Sequence, residues 1–128
     1  MIAPANLEQF IKLGFVAFVA KNGALLNALH PDEWQIWCKA CGLESPSQRK
    51  LKTLSSFDLV ANAAASGFGI AMGRTPMVNA MLKDGRLVRP EGVRSLPAGW
   101  YCLVSGQTRP FAAAPRKIAE WLRKRFET

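Results

Sequence analysis

The sequence has few of the residues that most often carry out catalysis or hold metals. Its 128 residues include one histidine, His30, and three cysteines, Cys38, Cys41 and Cys102. A Ser-His-Asp or Cys-His arrangement would have to use His30, which stands beside Pro31 and is expected to lie in a surface turn. The odd number of cysteines favours reduced thiols in a cytoplasmic protein over a disulfide framework. We therefore expect no enzyme activity, no metal and no other cofactor.

Long apolar segments and targeting signals are also lacking. No uncharged apolar run reaches the ~18 residues that a membrane span needs. The stretch 59–73 is uncharged but contains Asn62, Ser66 and three glycines. The first cation is Lys12, and Glu8 precedes it, so the basic start of a signal peptide is missing. We therefore expect no signal peptide, no membrane span and no membrane contact.

Acidic residues are scarce, with 9 Asp and Glu against 17 Lys and Arg and a formal net charge of +8. This balance favours contact with an anionic ligand or a polyanion. Hydrophobic residues make up 49% and charged residues 20%, which is near the globular average and excludes a disordered chain, a collagenous fibre and a coiled coil. The length predicts one domain over residues 1–128 with a buried core.

One helix is clearly delimited in the sequence. Pro31, Asp32 and Glu33 are typical of a helix start, and Gly42 followed by Leu43 is typical of a Schellman ending. Four residues between these signals form one apolar stripe: Trp34, Trp37, Cys38 and Cys41. The two cysteines fall in the last turns, where the helix dipole raises a thiol pKa. We interpret them as core residues rather than as a redox or zinc motif.

A strand–helix–strand unit follows. Leu51–Leu54 is predicted as a strand, and Ser55 with Asp58 is close to a capping box. The helix is predicted from Phe57 to about Ser66, and Gly69–Met72 as a buried strand. Such a connection implies parallel strands with a right-handed crossover.

Other elements are less sharply marked. The aromatic and β-branched segment Phe15–Val19 suggests an extended conformation. Thr75 and Pro76 suggest a helix start. Trp100–Val104 is typical of a buried strand, and Pro115 opens a final helix. The alternation predicts an α/β fold, in which a mostly parallel sheet is flanked by helices, with a C-terminal helix.

Ser55, Ser56 and Phe57 form the candidate binding segment. They lie where a strand ends and a helix begins, so hydroxyls and free backbone N–H groups are available to a carboxylate or phosphate. The plainer interpretation is that one serine is only an N-cap. Both interpretations remain open from the residues alone.

The basic segment 116–125 supports an alternative function, a small nucleic-acid-binding module. Its cations also fit a solvated helix face. Strong binding to generic duplex with a steep salt dependence would favour the alternative.

The order and spacing of several motifs resemble a known family. The stretch FDLVANAAASGFGIAMGRTPMVNAMLKDGRLVRP, Phe57–Pro90, is similar to the effector-binding domain of LysR-type transcriptional regulators, and more narrowly to the branch of the glycine-cleavage activator. The family's W-x-x-W ahead of A-x-G-[LV] is matched by five residues: Trp34, Trp37, Ala40, Gly42 and Leu43. Trp121-Leu122 fits its ending.

The resemblance implies one lobe of a fold like the type-2 periplasmic binding proteins. The chain matches the second lobe and the return helix, so the DNA-binding domain and most of the first lobe are expected to be absent. A small anionic effector is the implied ligand, weakly bound or lost in this fragment. Ser55, Ser56 and Phe57 match the cleft-lining segment, Gly69 matches the close-approach glycine of the neighbouring strand, and Met72–Thr75 is a weaker candidate.

The resemblance also implies a regulatory role through closure of two lobes on the ligand. DNA would be contacted only through the absent domain. The apolar stripe of the final helix normally packs on the absent lobe, and its members are Ile118, Trp121, Leu122 and Phe126. We therefore expect a homo-oligomer, a dimer that covers this stripe.

Overall fold

The chain divides into two compact units, one from Met1 to Leu96 and one from Pro97 to Thr128. The structure is a computed structural model and describes residues 1–97, 102, 104 and 113–126. Each unit is described by itself, and a single domain over residues 1–128 stays a prediction. The strand predicted at Trp100–Val104 lies mostly outside the described residues.

A parallel sheet lies at the centre of the first unit. Its three described strands are β1 (Ala24–Asn27), β2 (Leu51–Leu54) and β3 (Ile70–Ala71), in the spatial order β2-β1-β3. The first residue of β1 is in register with the first residue of each neighbour. The strands expected on either side of the crossover are parallel, but β1 lies between them.

Strand β1 was not anticipated from the sequence. All four of its residues, Ala-Leu-Leu-Asn, are buried, and none is β-branched, so residue type gave little indication of a strand. Ala24 and Leu26 belong to one hydrophobic cluster and Leu25 to another. Because successive side chains of a strand point to opposite faces of the sheet, the two clusters lie on opposite faces, and both faces are buried.

Helix α1 (Leu7–Asn22) occupies the segment that was expected to be extended. Gly14, with φ of 73°, interrupts it, and Gly23 follows its end. The extended prediction for Phe15–Val19 was wrong because burial there follows the helical period. Phe18 and Val19 are buried and Phe15 is half-buried, which is the i, i+3, i+4 spacing of one helix face.

Helix α2 (Glu33–Cys41) confirms the sequence prediction. Gly42 adopts a left-handed conformation with φ of 67°, and the Leu43 N–H donates to the Cys38 carbonyl at 2.9 Å. This bond spans six residues and is the 6→1 bond that defines a Schellman ending. Trp34 and Cys38 on the predicted apolar stripe are 3% and 0% exposed, so α2 packs on the sheet through that stripe.

Helix α3 (Phe57–Ala65) joins β2 to β3, and its buried residues are Val60, Ala61 and Ala64. Small side chains at those positions let the helix approach the sheet closely. Helix α4 (Asn79–Lys83) begins later than predicted, because Val78 rather than Thr75 is its N-cap and makes no side-chain capping bond.

The N-terminal residues of the first unit pair with a segment that follows α4. Ile2 and Val88 form an antiparallel bridge with N–O distances of 3.1 and 2.9 Å. In the second unit, the predicted final helix is confirmed as α5 (Ala113–Phe126), where Ile118 and Trp121 are exposed. Across the described parts of the chain, the helices are too short or too polar to span a bilayer.

Candidate ligand-binding site

The three strands end at one side of the sheet, which we call the carboxyl edge. The residues directly after the strands are Ala28, Ser55 and Met72. In open α/β sheets, ligands bind outside the carboxyl ends of the strands. The opposite side, the amino edge, contains Gly23 and Gly69, which directly precede β1 and β3.

The two serines after β2 begin helix α3, but they have different roles. Ser56 is the N-cap, and its Oγ accepts a hydrogen bond from the Leu59 N–H at 3.3 Å. The cap is therefore one residue later than the box expected from Ser55 and Asp58. Ser55 is exposed, whereas Ser56 and Phe57 are half-buried. The hydroxyl of Ser56 can still donate a hydrogen bond while its oxygen accepts the capping bond.

A charged network joins the other two strand ends. The Arg74 Nη2 lies 3.2 Å from the Glu33 Oε2, and the Glu33 Oε1 accepts a hydrogen bond from the Asn27 N–H at 3.3 Å. Asn27 is buried, and its Oδ1 accepts from the Leu29 N–H at 3.0 Å. The network fixes the Arg74 guanidinium between the end of β1 and the segment after β3.

Arg74 retains unused hydrogen-bonding capacity. Its side chain is 22% exposed, and that of Glu33 is 8% exposed. The Arg74 Nε is enclosed and has no hydrogen-bond partner within the described part of the chain, although buried polar groups are normally paired. Arg74 was predicted only as part of the weaker segment Met72–Thr75, from the family resemblance. A signal that could have singled it out is a cation just beyond the end of a buried strand.

Gly69 does not lie with the serines. It precedes β3 at the amino edge, level with Gly23, whereas Ser55 follows β2. Along the strand direction, Gly69 and Ser55 are about five residues apart, which is roughly 16 Å. Gly69 is a close-approach glycine, but the group it approaches is the Gly23 carbonyl, 2.8 Å from where a Cβ would stand. The structure therefore brings Ser55, Ser56 and Phe57 together and leaves Gly69 elsewhere.

Cys38 lacks the features of a reactive thiol. Burial raises the pKa of the Cys38 thiol, the Cys41 thiol raises it further, and a hydrogen bond with Ser45 acts in the opposite direction. A raised pKa lowers the thiolate fraction at neutral pH, which agrees with a core role for Cys38. His30 is exposed. Within the described residues, no group of three His, Cys, Asp or Glu side chains is placed to hold a metal ion.

The fold and this edge define an α/β lobe that presents polar side chains where a ligand would bind. Residues 3–127 match the family model described as the LysR substrate binding domain. The chain belongs to this family, as the resemblance in its sequence predicted.

Several relatives are transcription regulators. The HTH-type transcriptional activator AmpR of Citrobacter freundii is 30% identical over 99 residues, which are 77% of this chain and 34% of AmpR. AmpR of Rhodobacter capsulatus is 33% identical over 98 residues, 77% of this chain and 33% of that protein. The HTH-type transcriptional regulator TrpI of Pseudomonas aeruginosa is 28% identical over 102 residues, 80% of this chain and 34% of TrpI. The chain thus spans about a third of these relatives. None of these relatives bears the name of the glycine-cleavage activator, and that narrower branch stays a prediction.

A solved structure shares the fold. The effector binding domain of AmpR from Citrobacter freundii aligns with a TM-score of 0.71 over 98% of this chain and 61% of that chain, at 22% identity. The predicted fold class, one lobe of a type-2 periplasmic-binding-protein-like fold, is confirmed.

Proposed function

We propose that this chain is the ligand-sensing lobe of a LysR-type regulator and that its carboxyl edge binds a small carboxylate. Family membership supports the sensing role. Relatives that are named transcriptional activators and regulators support regulation rather than catalysis.

The observation that carries the carboxylate proposal is the Arg74 guanidinium. One of its terminal nitrogens, Nη2, faces Glu33 at 3.2 Å, while the other, Nη1, makes no hydrogen bond or ion pair among the described residues and is not enclosed. Guanidinium groups bind carboxylates through charge-assisted N–H donors. Because Glu33 already holds Nη2, Arg74 is oriented before a ligand arrives. A carboxylate can reach Nη1 from the exposed side of the group, whereas the Nε is enclosed.

The serine segment supplies hydrogen bonds rather than charge. Asp58 in the first turn of α3 already complements the helix dipole. Ser55 offers an exposed hydroxyl, and the first turn offers backbone N–H groups. One strand separates β2 from β3, and β3 ends two residues earlier in the register, so their ends are about 12 Å apart. A small ligand with more than one polar group can contact both sides of the edge.

Regulation would follow from closure of a second lobe over this edge. A ligand held between two lobes stabilises the closed arrangement and shifts the population toward it. DNA binding would be made by a domain that these 128 residues do not contain. In the fragment alone, the ligand meets only one wall of the cleft, so its affinity is expected to be weak.

Substitution of Arg74 tests the carboxylate proposal. Titration calorimetry with a series of small carboxylates, from acetate to citrate, is expected to show about tenfold weaker binding for Arg74→Gln, since hydrogen bonds to charged groups contribute about 1.5–3 kcal/mol. The matched control is Arg86→Gln, which removes an exposed guanidinium paired with Asp84 at 3.6 Å. Equal losses in the two variants would contradict a specific role for Arg74.

Self-association is the second part of the proposal. Ile118 and Trp121 on α5 are 59% and 61% exposed, and the predicted apolar stripe also includes Leu122. A second copy that covers these side chains would remove them from water. Light scattering is expected to show a dimer, and Trp121→Glu to shift it toward monomer. A monomer at all concentrations would contradict this part.

The alternative function, a basic nucleic-acid-binding module, is supported by the exposed cations of α5: Arg116, Lys117, Lys124 and Arg125. Titration with generic duplex at two salt concentrations separates the two functions. A sensor lobe is expected to bind weakly at physiological salt. Tight binding that falls steeply with salt would favour the alternative.

A further inference from the structure

A hollow lies within the first unit, away from the carboxyl edge. It has a volume of about 410 Å³ and is bounded by α1, the end of α2 and the loop 91–94. Its apolar wall comprises Phe10, Phe15, Trp37, Cys41 and Leu43. Sites for small molecules typically enclose about 300–1,000 Å³ and are lined mainly by apolar and aromatic groups. The hollow has the size and lining of such a site.

Contacts within the unit hold the aromatic wall in place. The rings of Phe15 and Trp37 are 5.2 Å apart, and Phe10 packs edge-on against Phe18 at 5.4 Å. The Trp37 Nε1 donates to the Arg94 carbonyl at 2.9 Å. Because the indole N–H is already bonded, Trp37 offers the hollow only its apolar ring.

Two opposite charges flank the hollow in one short loop. Glu91 and Arg94 are exposed lining residues. The Arg94 Nη1 donates to the Ala40 carbonyl at 2.8 Å, which fixes the guanidinium over the end of α2. Within the described parts of the chain, the ion pairs are Arg74–Glu33 and Arg86–Asp84. Glu91 and Arg94 therefore keep their charges available to a ligand.

The hollow is distinct from the carboxyl edge. Helix α2 begins at Glu33, which pairs with Arg74, and ends at Cys41, which lines the hollow. Eight residues of helix span about 12 Å. A ligand in the hollow therefore does not touch the Arg74 network, and the two sites can be tested independently.

We propose that this hollow binds a zwitterion with an apolar side chain, an α-amino acid of the aromatic class. Its carboxylate meets the Arg94 guanidinium, its ammonium meets the Glu91 carboxylate, and its ring packs among Phe10, Phe15 and Trp37. A simple anion or cation would satisfy only one of the two charges. An uncharged ring would leave both unpaired, so the full zwitterion is the complementary ligand.

Thiol protection in the intact chain tests the proposal directly. Cys41 lines the hollow, Cys38 is buried, and Cys102 is exposed. Millimolar L-phenylalanine is expected to slow alkylation of Cys41 by a maleimide, read site by site by mass spectrometry. The rate at Cys102 is expected to stay unchanged, which makes it the internal control. Equal rates at Cys41 with and without the amino acid would overturn the proposal.

Two analogues and three variants test the charge pairing. Phenethylamine and 3-phenylpropanoate each lack one charge, and each is expected to protect Cys41 about tenfold less well than L-phenylalanine. In Glu91→Gln, L-phenylalanine is expected to protect Cys41 no better than 3-phenylpropanoate, which lacks the ammonium. In Arg94→Gln, L-phenylalanine is expected to protect Cys41 no better than phenethylamine, which lacks the carboxylate. Arg86→Gln is the control and is expected to change neither.

The Glu91 variant keeps the test valid if Arg94→Gln loosens the loop. Arg94 bonds to Ala40, whereas Glu91 makes no hydrogen bond or ion pair within the part of the chain that the structure describes. Protection by 3-phenylpropanoate as strong as by L-phenylalanine in the unsubstituted chain would overturn the zwitterion assignment. A failed Arg74→Gln experiment would leave this result unaffected.

Discussion

The two edges of the sheet are built from different chemistry. At the amino edge, backbone lies against backbone: a Cβ at Gly69 would stand 2.8 Å from the Gly23 oxygen. The Lys52 Nζ also donates to the Asn22 and Phe68 carbonyls at 2.8 and 2.6 Å. Close backbone packing and these hydrogen bonds join the three strands at this edge.

At the carboxyl edge, side chains stand beyond the strand ends. The Arg74 side chain is 22% exposed, and Ser55 is exposed. The same three strands thus end in a closed edge and an open one. Stability and recognition are therefore expected to separate along the strand direction: substitutions at the amino edge should change the free energy of unfolding, and those at the carboxyl edge ligand affinity.

The largest effect is expected from Gly69→Val at the closed edge. The added side chain would overlap the Gly23 carbonyl, and the φ of 151° disfavours a β-branched residue. We expect a loss of about 4 kcal/mol in the free energy of unfolding, or no folded protein. Urea denaturation measures it. Gly85→Ala is the control, because its φ of 69° is also positive but no atom lies within 4 Å of the new Cβ. A loss at Gly69 no larger than at Gly85 would contradict the closed edge.

The next effect is a pH dependence near the open edge. The Met1 amine donates to the Ala71 carbonyl, at the end of β3, at 2.6 Å. Burial, and to a smaller extent Arg89, lowers the pKa of this amine from 8.0 to about 5. Between these values the unfolded chain binds a proton that the folded chain does not, so stability falls as the pH drops through this window.

The size of this pH effect has an upper bound. Three pKa units correspond to at most about 4 kcal/mol, and we expect about 3 kcal/mol because Met1 is partly exposed and its amine can regain water. Urea unfolding at pH 8 and pH 5 measures the difference. Two residues added before Met1 should remove this dependence. The same pH dependence in the extended chain would assign it to another group.

The smallest effect separates the two serines. Ser56→Ala removes the cap of α3 and is expected to lower the free energy of unfolding by about 1 kcal/mol. The free energy of carboxylate binding is expected to fall by more than this. Ser55→Ala is the matched control for stability and is expected to leave it unchanged. Unfolding curves and calorimetric titrations give both quantities. Unchanged ligand affinity in Ser56→Ala would remove this residue from the proposed site.

Elements marked by local signals were predictable from the sequence. The end of α2 follows from Gly42 and Leu43, and the start of α3 from the serines that precede it. The cap itself shifted from Ser55 to Ser56, because the two hydroxyls are adjacent and the sequence does not decide which one reaches the helix N–H groups. Local chemistry therefore located these elements but not the individual bond.

Features that depend on distant contacts were not predictable. Strand β1 lacks β-branched residues and is recognisable only through its two parallel neighbours. Its insertion between β2 and β3 also decides what Gly69 approaches. Glu33 and Arg74 are 41 positions apart, so only the folded chain shows that they form one network. Arg74 was thus predicted only as part of the weaker segment Met72–Thr75, for a topological reason.

Ligand binding at the open edge of the sheet is the proposal on which the sensing role of this lobe depends. Its most direct test is to map amide chemical shifts of the isotope-labelled chain during titration with small carboxylates. We expect saturable shifts at Ser55, Ser56 and Phe57 and around Arg74, with Gly23 and Gly69 unchanged. Shifts confined to the amino edge, or no saturable shifts at Arg74 with any carboxylate, would contradict it.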